Sequence, residues 1–137
     1  MKVREVLLKD PLKWRLANEG VSSNNTEDLA TLRYELDSFV CEGEYLNGMR
    51  RILQGYRDNF NSSEQKAAWI SGFYGSGKSH LAKVLRYLWI NFTFPDGTTA
   101  RSLAHLPVEI TDLLTEITTL GKRHDGLHMA GGTLKAL

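Results

Sequence analysis

A glycine-rich octapeptide from Gly72 to Ser79 constrains this chain more than any other stretch. It reads Gly-Phe-Tyr-Gly-Ser-Gly-Lys-Ser and fits G-x-x-x-x-G-K-[ST], the P-loop or Walker A pattern. An apolar run, residues 67–70, precedes it and predicts a short buried strand. An apolar stripe at helical spacing follows it: Leu81, Val84, Leu85, Leu88, Trp89 and Phe92. A strand, a glycine loop and a helix in this order are the context that the motif requires.

The residue types in this loop suit a polyphosphate. Glycines let the backbone curl so that the N–H groups of residues 75–79 point at one phosphate, and the start of the following helix adds its positive dipole end. Lys78 is placed to bridge two phosphates, and the Ser79 hydroxyl to ligate Mg²⁺. His80 either lies near the phosphates or faces solvent. The predicted site for ATP and Mg²⁺ comprises Gly72, Gly75, Ser76, Gly77, Lys78, Ser79 and His80.

The residues that a hydrolytic site needs are harder to find. A P-loop enzyme requires a Walker B acid at the end of a buried strand and a group that orients the attacking water. None of the acids after Ser79 ends an apolar, strand-like run: Asp96, Glu109, Asp112, Glu116 and Asp125. The guanine signature Asn-Lys-x-Asp is also absent from the sequence. We therefore expect this chain alone to bind nucleotide without useful turnover, as the N-terminal portion of a longer ATPase.

Helical periodicity predicts three further segments. Apolar residues recur at helical spacing over 29–40 and again over 46–60, and Asn25 is a plausible N-cap, with Glu27 and Asp28 in the first turn. A third amphipathic helix is predicted to start at Pro107 and to end before Gly121. Core packing is the simplest role for these stripes.

These elements predict an α/β fold, an incomplete AAA-like P-loop NTPase core preceded by an N-terminal helical segment. The predicted boundaries are residues 1–60 for the helical segment and 61–137 for the NTPase part, truncated before Walker B. Residues 127–134 are a candidate second strand. Trp69 is predicted to pack in the core because it lies inside the first strand, whereas Phe73 and Tyr74 in the loop are candidates for contact with nucleotide or a partner.

Composition limits the partners and the cellular compartment that the chain is expected to have. Seventeen Lys and Arg against sixteen Asp and Glu give a net charge of +1, so no global field attracts nucleic acid or a membrane. No run approaches the roughly 20 apolar residues of a membrane span. Cys41 is alone, which precludes an internal disulfide and fits a reducing cytosol. His124 and His128 are four residues apart but lack the H-E-x-x-H pattern of a zinc site.

The stretch from Trp69 to Leu81, Trp-Ile-Ser-Gly-Phe-Tyr-Gly-Ser-Gly-Lys-Ser-His-Leu, resembles the P-loop of the BrxC/PglY ATPases of bacterial BREX phage-defence systems. The aromatic loop and the Ser-His-Leu ending are its more specific parts. The surroundings are also similar, since a Leu-Lys-Asp-Pro segment and a helical segment precede the loop. A helix and a Gly-Gly segment follow it, and the matching positions are residues 8–11, 106–107 and 131–132.

This resemblance implies an ATP-binding, AAA-like core in a cytoplasmic complex with other defence proteins, possible contact with DNA through that complex, and a possible homo-oligomer. It carries over Gly72, Gly75, Gly77, Lys78 and Ser79 as nucleotide-site residues. Two other functions stay open. One is a non-catalytic switch or interaction module that binds ATP to order itself. The other is a small nucleotide or metabolite kinase, which should show an arginine-bearing lid, whereas this region holds a single arginine, Arg101.

Overall fold

A computed structural model describes residues 28–73, 75 and 77–132. This part of the chain is mainly helical. A short 3₁₀ turn, Lys122–His124, continues the last helix. The α-helices are α1 (Leu29–Ser38), α2 (Gly43–Asp58), α3 (Lys78–Ile90), α4 (Ala100–Leu103) and α5 (Val108–Gly121).

The predicted α/β NTPase core is wrong for the described residues, because they form no sheet. Two isolated bridges are their only strand-like pairings, one between Val40 and His105 and one between Thr93 and Thr99. Residues 67–70 carry no secondary structure, and Trp69 is 91% exposed instead of packed in the core. A strand needs a neighbour that satisfies its backbone N–H and C=O groups, and no described segment supplies one here.

The other sequence predictions fall partly outside the described residues. Residues 127–132, most of the candidate second strand, have no regular structure, and the remainder of that segment lies outside the described chain. Asn25, Tyr74 and Ser76 also lie outside it. Helix α1 is confirmed, but its N-cap is Asp28, which was predicted for the first turn. The Asp28 Oδ1 atom accepts hydrogen bonds from the backbone N–H groups of residues 30 and 31, at 3.1 and 3.2 Å.

Helices α2 and α5 pack along each other and supply much of the core. Two ion pairs flank this packing: Arg50 with Glu109 at 2.7 Å, and Arg57 with Glu116 at 3.3 Å. The predicted apolar stripes are confirmed as core-forming, since nine of their side chains, drawn from all four predicted helices, are fully buried. They are Leu32, Leu36, Met49, Leu53, Val84, Leu88, Ile110, Leu114 and Ile117, each 0% exposed.

Helix α3 begins at the glycine loop and is held firmly at its other end. The Arg101 guanidinium donates to the carbonyls of Leu88 and Trp89, at 2.7 and 2.8 Å, so two of the last unpaired carbonyls of α3 are satisfied. Asn91 ends the helix in a left-handed conformation, with φ 49°. The predicted turn at 94–98 follows, closed by the Gly97 N–H on the Phe94 carbonyl at 2.9 Å. The end of α3 that lies away from the glycine loop is therefore tied to the segment that follows it.

In the described part of the chain, no helix has the length and apolar character needed to cross a bilayer.

Candidate functional site

The glycine loop turns into α3 through two residues with left-handed backbones. Gly75 has φ 79° and Gly77 has φ 86°, a region that costs other residues energy. Gly77 is the N-cap of α3 and has no side chain with which to cap it. Lys78 and Ser79 occupy the first turn. The first N–H groups of a helix have no intrahelical acceptor, so this end of α3 presents donors suited to an anion.

Lys78 joins the two ends of the loop. Its ammonium donates to the backbone carbonyls of Gly72 and Phe73, at 2.7 Å in both cases. The predicted residues Gly72 and Lys78 are therefore brought together, although they are six positions apart. Both acceptors are neutral, so the positive charge of Lys78 is held over the loop without being neutralised by these two contacts.

Tyr45 of α2 lies against the glycine loop. A Cβ atom placed on Gly77 would overlap the Tyr45 hydroxyl and lie 2.9 Å from the ring atom that carries it. By contrast, a Cβ on Gly75 would meet open space. Two constraints therefore favour glycine at position 77, the positive φ angle and the nearby Tyr45 side chain. At position 75 only the positive φ angle favours glycine. The sequence offers no signal for this contact, because Tyr45 and Gly77 are far apart along the chain.

His80 packs inward, toward α1. Its ring centroid lies 5.8 Å from that of Phe39, and the Phe39 ring in turn lies 5.6 Å from that of Tyr45. Burial lowers the pKa of His80; nearby Glu35 raises it and Lys83 lowers it further. This packing does not fit the solvent-facing position considered for His80, and the position near the phosphates stays a prediction. The contact connects the first turn of α3 to the C-terminal cap of α1, which is Phe39.

A cavity of about 820 Å³ lies beside the loop, between α2 and residues 66–71. Lys78 lines it, so the cavity and the loop are continuous. Two further cations, Arg51 and Lys66, line the same cavity, along with one carboxylate, that of Glu44. The rest of the lining is mostly small, apolar or aromatic.

Of the remaining candidates, Phe73 belongs to the loop, whereas Cys41 and His124 lie outside it. Phe73 is 90% exposed, consistent with its predicted availability for contact. Cys41 is buried, and burial raises the pKa of its thiol. The His124 ring lies 5.4 Å from that of Phe60. The described residues contain no group of three or more His, Cys, Asp or Glu side chains arranged to hold a metal ion.

No protein-family model matches this chain. No solved structure gives a significant match to it either.

Proposed function

We propose that the loop from Gly72 to Ser79, together with the first turn of α3, binds the polyphosphate of a nucleoside triphosphate, with ATP as the ligand. The observation that carries this proposal is the position of the Lys78 ammonium, 2.7 Å from the carbonyls of Gly72 and Phe73. The charge is held where the loop N–H groups and the helix dipole also favour an anion. Exchanging carbonyl for phosphate acceptors would give Lys78 stronger, charge-assisted hydrogen bonds.

The loop also fits a magnesium complex of the nucleotide. Ser79 is the second residue of α3, so its hydroxyl lies at the same helix end as the N–H donors. A hydroxyl oxygen is a hard ligand of the kind that Mg²⁺ prefers, and this ion usually keeps several waters and binds phosphate oxygens as well. Ser79 would hold the ion, and the ion would neutralise part of the phosphate charge.

The wider setting of this activity is part of the proposal. An ATPase of the BREX type, working in the cytoplasm with other defence proteins and with DNA through their complex, is supported by the loop sequence from Trp69 to Leu81. A nucleotide-dependent switch is the second candidate. The packing of His80 on Phe39 favours it, because this contact connects the loop-bearing turn of α3 to the C-terminal cap of α1.

Titration of a fluorescent ATP analogue, with Mg²⁺ present, into wild type and Lys78→Ala tests the proposal. Losing a hydrogen bond to a charged group costs about 1.5–3 kcal/mol, so the variant should bind about 10- to 150-fold more weakly. Lys122→Ala is the matched control, since Lys122 is an exposed lysine on the 3₁₀ turn. Equal affinities of wild type and Lys78→Ala, both shown by circular dichroism to be folded, would refute the proposal.

A further inference from the structure

The cavity beside the loop has the size and chemistry of a small-molecule site. Its volume of about 820 Å³ lies within the roughly 300–1,000 Å³ typical of ligand pockets. Its lining combines three cations with apolar and aromatic groups, among them Ile52, Tyr56 and Trp69. A nucleotide has the same two-part chemistry, since a polyanion is joined to a flat aromatic ring.

The cations of this cavity differ from the other arginines of α2. Arg50 and Arg57 both pair with carboxylates of α5, Glu109 and Glu116. Arg51 and Lys66 line the cavity instead, and within residues 28–132 as described neither forms an ion pair. Together with Lys78 they give three cations against the single carboxylate of the lining. This excess of positive charge favours an anionic ligand.

Helix α2 presents two glycines to the same cavity. Gly48 and Gly55 are seven residues apart and share one helix face with Arg51 and Ile52. Glycine inside a helix is less stable than alanine, so some use for the missing side chain is expected. Packing does not supply it, because a Cβ on either glycine would meet no atom within 4 Å. The two glycines deepen the cavity along α2.

We infer that this cavity receives the nucleoside part of the nucleotide, with its base against the Gly48–Gly55 face of α2 and with Arg51 and Lys66 adding positive charge to the cavity that holds this anionic ligand. The inference rests on the proposed function, because it places the phosphates at Lys78. It adds a position for the ring and a set of residues that distinguish a nucleotide from bare polyphosphate. Aromatic side chains of the lining, Tyr56 and Trp69, offer flat surfaces for a base.

Filling the cavity tests the inference. Gly48→Leu places a branched side chain in the open space, and Gly48→Ala is the matched control for helix propensity. Each variant is titrated with Mg-ATP and with Mg-tripolyphosphate, which has no nucleoside. We expect Gly48→Leu to bind ATP at least tenfold more weakly than Gly48→Ala, and both variants to bind tripolyphosphate within about twofold of wild type. If Gly48→Leu does not fold, Gly55→Leu against Gly55→Ala makes the same comparison.

The outcomes separate this inference from the proposed function. Unchanged ATP affinity in Gly48→Leu would overturn the inference, while a loss of both ligands in Lys78→Ala would still support the loop as the phosphate site. An equal loss of both ligands in Gly48→Leu would also overturn it, because the cavity would then hold phosphate and not the nucleoside. Unchanged binding of both ligands in Lys78→Ala would refute the proposed function and the inference with it.

Discussion

Lys83 of α3 and Glu35 of α1 form a buried ion pair, with the Lys83 Nζ atom 2.5 Å from the Glu35 Oε2 atom. Their side chains are 1% and 5% exposed. Lys83 lies one helical turn after Ser79, so the pair anchors the loop-bearing end of α3 to α1. Removing two charges from water is costly, and the close contact offsets that cost only while both partners remain.

Breaking this pair should destabilise the fold strongly. We expect Lys83→Met to lower the free energy of unfolding by about 3–5 kcal/mol, because it leaves the Glu35 carboxylate buried without its partner. The double variant Lys83→Met/Glu35→Leu should recover most of this loss, since an apolar pair of similar volume has no charge to desolvate. Urea denaturation of the wild type, both single variants and the double variant measures the coupling. A double variant no more stable than Lys83→Met would contradict the expectation.

Gly77→Ala should damage both the fold and the site. A non-glycine residue with a left-handed backbone costs about 1–3 kcal/mol, and here the new methyl group would also overlap the Tyr45 hydroxyl. Gly97→Ala is the control, because Gly97 has φ 87° but open space around its Cβ position. Thermal melts should show the larger loss for Gly77→Ala, and only this variant should lose affinity for the ATP analogue. Equal melting temperatures of the two variants would show that the Tyr45 contact imposes no constraint.

The role of Ser79 is tested by magnesium dependence. If its hydroxyl holds the ion, Ser79→Ala should weaken ATP binding in the presence of Mg²⁺ by about tenfold and leave binding in EDTA nearly unchanged. A tenfold change corresponds to about 1.4 kcal/mol. Isothermal titration calorimetry with and without the metal gives the four affinities. Identical responses of Ser79→Ala and wild type to added Mg²⁺ would rule out this assignment.

His80 should make stability depend on pH. Burial lowers its pKa below the ordinary imidazole value of 6.5, so below that value the unfolded chain binds the proton more readily than the folded chain. The contribution of neutral His80 to stability is therefore fully present above pH 6.5. It falls as the pH drops toward the lowered pKa of His80 in the folded protein. His80→Asn cannot take up this proton, so it should lose less stability than the wild type between about pH 7.5 and about pH 5.5. These two pH values lie on either side of the ordinary imidazole pKa. Parallel pH profiles from chemical denaturation would contradict this.

Local sequence signals predicted the helices well because their causes are local. The stripes of α1, α2, α3 and α5 follow from the helical period, and side-chain capping of α1 follows from an aspartate next to its first turn. The curled backbone of the loop was also predictable from the sequence, since left-handed backbones at Gly75 and Gly77 favour residues without a Cβ atom. The Asp28 cap differs from the predicted Asn25 because several adjacent polar residues are suitable caps, and sequence alone does not choose among them.

The strand prediction at residues 67–70 failed for a physical reason. An apolar run records a preference for burial, but a strand also needs a second backbone segment to complete its hydrogen bonds. That segment is not among the described residues, so Trp69 remains exposed. The cavity could not be predicted from the sequence either, because the positions of Arg51 and Lys66 relative to Lys78 depend on how α2 lies against the loop.

The sequence by itself determined where helices form and where the backbone must turn at Gly75 and Gly77, since both depend on residues a few positions apart. Only the tertiary structure decided that Glu35 meets Lys83, that Tyr45 closes on Gly77 and that Gly48 opens onto the cavity that Lys78 lines. Contacts between distant segments depend on which apolar faces bury each other, and similar leucine-rich stripes do not specify their partners.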